Sequence, residues 1–201
     1  MPQSLESRDV VRAAHHQIGN SLQSVASLLR LEGQQAQPGA AGVLMGASRR
    51  VQAVVRLHQR LQYAEGGEVW LDDLLGDVCR DVAEVDAVDR DAEIQVDIQP
   101  CATDARRASI LATVTAELVG NALEHGLARR PGIISVRLRA APHALALTVH
   151  DDGQGPADGR LPEGFGLALI RNLCRPLRGE MTYRTGPAGT RVRLVLPAPP
   201  L

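Results

Sequence analysis

Apolar residues recur at steps of three and four along the first part of the chain. Val11, Ile18, Leu22, Val25 and Leu29 keep that spacing once His15 is admitted at the missing place, which is the seam of a helix that packs on other helices. The pattern predicts one long helix from about Ser4 to Ala36, capped by Ser4 or Ser7, with Glu6 and Asp9 favourable in its first turn. The Gln37–Gly39 run ends it. A second helix is expected from about Ala41 to Ala64, with the stripe Leu44, Ala47, Val51, Val54, His58 and Leu61. Two helices joined by a short turn form an antiparallel hairpin. A lone hairpin leaves each stripe half covered. Pairing with a second copy would complete a four-helix bundle, so a homodimer is expected. The competing reading packs the hairpin against the rest of its own chain.

Gly66-Gly67 reads as a hinge, dividing the chain into a helical part, residues 1–65, and a mixed part, residues 66–201. In the second part the pattern predicts a helix from Leu71 to Val88, a strand over Glu93–Ile98 and a long helix from Asp104 to His125. Strands follow over Ile133–Arg139 and Ala144–His150, then a Gly- and Pro-rich loop over Gly153–Gly164 and a helix from Phe165 to Leu177. Met181–Arg184 and Arg191–Leu196 close the chain as strands around a Gly186–Gly189 turn, and the tail from Pro197 is expected to fray. This is an α+β sandwich, a mixed sheet with helices on one face.

Composition narrows the function classes. A chain of 201 residues with 44% apolar and 22% charged residues is an ordinary globular one. The net charge of −1 points to neither nucleic acid nor an anionic membrane surface as the main partner. All 22 basic residues are Arg, which excludes any mechanism that needs Lys. Cys79, Cys101 and Cys174 are far apart and contain no C-x-x-C pair, so neither a disulfide framework nor a zinc site is expected. No run approaches the length of a membrane span and the start lacks a signal-peptide core, so a cytoplasmic protein without membrane insertion is expected.

Four places carry candidate chemistry. His15-His16 lies on the first helix with Asn20 one turn beyond His16 on the same side, an arrangement that offers an imidazole to a partner. Glu117, Asn121 and either Glu124 or His125 share one helix face, and an aligned carboxylate and amide oxygen suit a hydrated Mg2+ with Asn121 as ligand. Asp151-Asp152-Gly153-Gln154-Gly155 follows a strand directly. A carboxylate there accepts a hydrogen bond from an exocyclic amine such as that of adenine, and Gly153 and Gly155 let the backbone approach a flat ring. Gly164-Phe165-Gly166-Leu167 opens a helix whose N–H groups form a seat for phosphate. Gly189-Thr190 precedes the last strand.

In this order, the last three clusters and the terminal Gly-Thr resemble the Bergerat-type ATP-binding sandwich of the GHKL superfamily, which includes gyrase, Hsp90, histidine kinases and MutL. E-L-V-G-N-A-L-E-H-G is similar to the asparagine box of sensor histidine kinases, D-D-G-Q-G to the first glycine box and G-F-G-L-A-L-I-R-N-L to the second. H-H-Q-I-G-N-S-L-Q, near the start, is similar to the phosphoacceptor box E-H-R-V-K-N-N-L-Q of the class related to the HWE group, and Arg49 to Tyr63 resembles that class's second helix. The resemblance implies two-component signalling by a dimeric kinase. It makes His16 the phosphoacceptor, with Asn20 beside it, and Glu117 the residue that orders water or metal. Asn121 would hold Mg2+, Asp151 would fix the adenine of ATP, and Gly153, Gly155, Gly164, Gly166, Leu167 and Thr190 would surround the nucleotide. The partner implied is a response-regulator receiver domain, whose aspartate takes the phosphoryl group.

Three positions depart from that pattern. His15 stands where the class has Glu, Glu124 stands where the class has Lys, and the loop Pro156–Glu163 is short. They leave open a histidine phosphotransferase, derived from a kinase, that relays phosphate between receiver domains without ATP. A partner-switching or nucleotide-sensing sandwich protein is the third reading.

Overall fold

The computed structural model describes residues 3–61, 68–86, 92–128, 130–162 and 164–198, and of these the side chains other than those of 3–17, 38, 85 and 86. The proposed Gly66-Gly67 hinge, the His15 and His16 side chains and Glu163 lie outside the described residues.

Helix α1, Gln3–Gln35, is already helical ahead of both Ser4 and Ser7. It is followed by α2, Pro38–Leu61. The second helix therefore starts three residues earlier than expected. Proline fits the first helical position, where its fixed φ is already helical and no N–H is required. Gln37 O accepts from the N–H groups of both Ala40 and Ala41 at 2.9 Å, which sets the new start. The two helices run antiparallel: Ser48 Oγ donates to Ala26 O at 2.8 Å, while Gly33 lies against Leu44 and Met45. Among the described side chains of α1 the buried positions are Gly19, Ala26 and Gly33, and at the last two a small residue lets α2 approach. The predicted seam is split lengthwise. Leu22 and Leu29 are half-buried, whereas Ile18 and Val25 are exposed, as are Leu28 and Leu31.

The stripe expected on α2 is half-buried throughout. A second face of the same helix is spaced Gly39, Gly42, Gly46, Arg49, Ala53, Arg56 and Arg60 in steps of three and four, and from Gly46 onward it meets the rest of the chain. Ala53 and Leu57 join the main core. Arg56 forms a two-pronged pair with Asp81, and Arg60 bonds Asp77 and Asp73, all three acids on helix α3, Leu71–Asp86. Periodicity of apolar residues misses this face because most of its contacts are made by alanine and arginine.

Strand β1, Glu68–Trp70, precedes α3 and pairs antiparallel with β3, Ala102–Asp104. This two-stranded piece is not predicted, being three residues a side. The main sheet has five strands in the order β2-β4-β5-β7-β6: Ala92–Ile98, Gly132–Ala141, Ala144–Asp151, Gly189–Pro197 and Glu180–Gly186. Only the β2–β4 pairing is parallel. Ile134, Val136, Leu138, Leu145, Leu147, Val149, Val192, Leu194 and Leu196 point inward at every second position. They meet α3, α4 (Ala105–Asn121) and α5 (Phe165–Cys174). Each fully buried Leu or Ile contributes about 1.5–3 kcal/mol.

Helix α4 is capped by Asp104, whose Oδ1 accepts from Arg107 N–H at 3.0 Å. It is buried on nearly all sides, since the sheet lies on one flank and α2 and α3 on the other. Its expected continuation to His125 changes character: Ala122–Gly126 is a π-helical turn, with Leu127 N–H bonded to Ala122 O at 2.8 Å. Helix α5 likewise ends in a 3-10 turn, Arg175–Leu177.

Candidate active site

A cavity of about 800 Å3 opens where the end of α4, the start of α5, the loop between β5 and α5 and the first half of α2 meet. Asp151 lies at its floor. The alternation that buries Leu145, Leu147 and Val149 carries one step further and turns Asp151 inward as well. Its Oδ1 accepts from Gly153 N–H at 3.1 Å and Thr190 N–H at 3.3 Å. Burial pushes the Asp151 carboxyl above the ordinary carboxylate range, and those two backbone bonds hold it back. Val149, Leu161, Leu167 and Val192 line the cavity with it. A buried carboxylate beside apolar walls suits a flat heteroaromatic ring carrying an exocyclic amine.

Glycines make this floor possible. A Cβ at Gly126 would stand 2.6 Å from Asp151 Oδ1, and one at Gly189, where φ is +104°, would stand 1.9 Å from Asp151 O. Gly153 presses on the π-turn, its Cβ position 2.1 Å from Gly126 O, and does not line the cavity. Gly155 lines it and also meets Thr185 of the β6–β7 hairpin, and Thr190 lines it from β7.

At the other end, Glu117 and Asn121 sit one turn apart on α4 beneath the start of α5. A Cβ at Gly166 would stand 2.6 Å from Glu117 Oε2 and 3.5 Å from Asn121 Nδ2, so glycine lets the two helices cross here. Gly164 caps α5 without a side-chain hydrogen bond, and Gly164, Phe165, Gly166 and Leu167 face the cavity. Backbone N–H groups at such a helix start attract anions. Among the described residues no cluster of His, Cys, Asp and Glu forms a metal cage. The oxygens of Asn121 and Glu117 suit Mg2+, which keeps several waters and binds through few protein ligands plus phosphates. The residues present thus fit a nucleotide with its magnesium ion.

Two residues that the sequence pattern missed reach this end from α2. Arg50 Nη1 donates to Glu117 Oε1 at 2.8 Å, and its guanidinium carbon lies 4.9 Å from the centre of the Phe165 ring. Arg49 Nη1 donates to Glu124 Oε1 at 2.7 Å. Gly120 makes room for that side chain, since a Cβ there would stand 2.4 Å from Arg49 Nε. Glu124, the acid in place of a lysine, is thus neutralised by a neighbouring element, while His125 is largely exposed.

The structure brings together Glu117, Asn121, Asp151, Gly155, Gly164, Gly166, Leu167 and Thr190. Of the first helix's candidates, Asn20, whose side chain is described, is not brought to them. Asn20 is exposed on α1, away from the cavity lining. His16 lies ten residues from Ala26, which is level with Ser48, on the side away from the α1–α2 turn. Ten helical residues span about 15 Å.

Residues 14–86 match the family model described as "Histidine kinase", and residues 107–200 match that described as "Histidine kinase-, DNA gyrase B-, and HSP90-like ATPase". The chain belongs to the histidine kinase family. It is 32% identical to the sensor histidine kinase PdtaS of Mycobacterium tuberculosis over 218 residues, 96% of this chain and 42% of that protein. It is likewise 32% identical to PdtaS of Mycolicibacterium smegmatis, over 92% of this chain and 39% of that protein. The kinase homologue therefore spans less than half the length of these curated relatives. Among solved structures, the histidine kinase domain of the Erythrobacter litoralis EL346 blue-light activated histidine kinase superposes with a TM-score of 0.71 at 22% identity, covering 89% of this chain and 96% of that one. The likeness bears out the α+β sandwich behind an N-terminal hairpin. No helix among the described residues is long and apolar enough to cross a membrane.

Proposed function

We propose that this chain is an ATP-dependent protein-histidine kinase of a two-component pathway. A neutral His16 imidazole nitrogen attacks the γ-phosphorus of ATP. A P–N bond forms, the bond from the γ-phosphorus to the bridging oxygen breaks, and ADP leaves with the electron pair. The ring then sheds the proton on its other nitrogen. An aspartate oxygen of a response-regulator receiver domain next takes the phosphoryl group, breaking the P–N bond. Asp151 accepts from the adenine amine and the start of α5 receives phosphate. Asn121 and Glu117 would hold Mg2+, which neutralises charge on the phosphates.

The observation that carries this reading is the convergence of Asp151, the Glu117–Asn121 pair and the glycine-opened α5 on one cavity. Residues 1–65 and 66–201 are read as the phosphotransfer and ATP-binding domains. The exposed α1 residues Ile18, Val25, Leu28 and Leu31 are read as the face that meets a second copy, while α2 is already covered by its own chain. Because His16 stands away from the cavity, transfer requires the sandwich to move along the hairpin.

Incubation with labelled ATP tests the proposal. Acid-labile, base-stable phosphate is expected on the wild-type chain and none on His16→Ala. Label acquired only from a phosphorylated receiver would replace the kinase by the phosphotransferase reading. No label on histidine from either source would leave the partner-switching one.

A further inference from the structure

The charges of the cavity are unevenly shared between the elements that build it. Among the described residues lining it, the carboxylates are Glu117, Glu124 and Asp151, from the end of α4 and from β5. The guanidinium groups are Arg49 and Arg50, and both come from α2. Without α2, the charged side chains would present only negative charge to a polyphosphate, which needs cations to bind.

The two arginines are placed differently. Arg49 is 3% exposed and held over Gly120 against Glu124. The Arg50 side chain is 19% exposed and already stands at the first residue of α5, stacked on Phe165. That is the end of the cavity where the uncapped helix start would receive phosphate. The α2 wall beside it is bare. A Cβ at Gly39 or Gly42 would meet no atom within 4 Å, so the protein's own packing does not require glycine there and the space is left open.

We propose that Arg50 is a phosphate ligand of the bound nucleotide, exchanging Glu117 for a phosphate oxygen, so that the site is complete only while α2 is docked on α4. The proposal rests on the ATP reading above. It makes the hairpin a contributor to nucleotide affinity as well as the carrier of the phosphoacceptor.

Displacement of a fluorescent ADP analogue by ADP and by adenosine, on the full chain without magnesium, tests it. R50Q is expected to weaken ADP at least about tenfold and to leave adenosine unchanged, as loss of a charge-assisted phosphate contact requires. R50K is expected to fall between R50Q and wild type in its preference for ADP over adenosine. It carries the test if thermal melts show that R50Q is misfolded. The double variant R50Q/E117Q is expected to remain weak for ADP. Equal or tighter ADP binding by R50Q would overturn the proposal and leave the Arg50–Glu117 pair as a latch. Full recovery in R50Q/E117Q would also overturn it, reducing Arg50 to neutralising Glu117. Wild-type protein that bound neither adenosine nor ADP would instead overturn the ATP reading itself.

Discussion

Asp151 carries an electrostatic cost that its proposed function explains. Burial raises its pKa in the folded chain above the unfolded value, which is about 3.9. Well below the unfolded value both states hold the proton. As pH rises towards the folded pKa, the folded state retains a proton that the unfolded state has lost, and Asp151's contribution to stability declines. At neutral pH the ionised group is a standing penalty. Asp151→Asn removes it, since the amide oxygen still accepts from Gly153 and Thr190. The expected result is an unfolding midpoint at pH 7 equal to or above wild type, with the advantage shrinking as pH falls towards 4. The same variant is expected to weaken ADP binding about tenfold or more, because a hydrogen bond to a charged acceptor is worth about 1.5–3 kcal/mol. Thermal melts across pH, beside ADP titration, check both. Loss of stability together with binding would assign Asp151 a structural role instead. At this scale the sequence was informative wherever partners lie close in it: Glu117 and Asn121 are one helical turn apart, and Asp151 ends an alternating strand. Nothing local marks Arg49 and Arg50 as part of the site, because their carboxylate partners lie 75 and 67 residues away.

Helix α2 shows what hydrophobic periodicity sees and what it omits. Its apolar stripe is real and half-buried, but the face that docks on α3 and α4 is built of small and charged residues in the same rhythm. Gly42 lies on that face in open space, so Gly42→Ala is expected to stabilise the chain by about 0.5–1 kcal/mol. That corresponds to a midpoint rise of about 2–4 °C per kcal/mol at this chain length. Gly120→Ala is expected to lower the midpoint, because its Cβ would collide with Arg49. A calorimetric comparison of the two variants separates glycine kept for space from glycine kept for contact. On α1, Val25→Asp with Leu28→Asp places charge on the exposed apolar positions. Light scattering is expected to show a dimer become a monomer with its helical content retained. An unchanged mass would mean that this face is not the one that pairs. The remaining misses are short or local. Strands β1 and β3 are too brief for alternation to register. The π-turn at the end of α4 leaves no mark in spacing, and its Gly126 lies against Asp151, 25 residues on.

At the scale of the whole molecule, the hairpin and the sandwich are joined by ion pairs as well as by the apolar contacts of Ala53, Leu57 and Leu61. Arg49, Arg50, Arg56 and Arg60 each meet a carboxylate of α3 or of the α4 end. The Arg60–Asp73 pair is the exposed kind that holds an orientation with modest energy, whereas the Arg49 and Arg50 pairs are largely buried and must exchange partners when the interface releases. Release is required by the proposed chemistry, since His16 lies about 15 Å along α1 from the level of Arg49 and Arg50. A crosslink across the α2–α3 contact therefore separates binding from transfer. Arg56→Cys and Asp81→Cys, in a Cys101→Ser background, are to be joined by a bismaleimide with a reducible spacer. The remaining native thiols are poor competitors: burial pushes Cys79 up to about 12 and Cys174 up to about 11, and neither side chain is exposed. The crosslinked chain is expected to bind ADP as before, since the cavity needs α2 in place. It is expected to lose at least about nine-tenths of its phosphorylation from ATP, and to regain it when reductant cleaves the spacer. Full phosphorylation with the crosslink intact would show that His16 is reached without any movement of the sandwich along the hairpin.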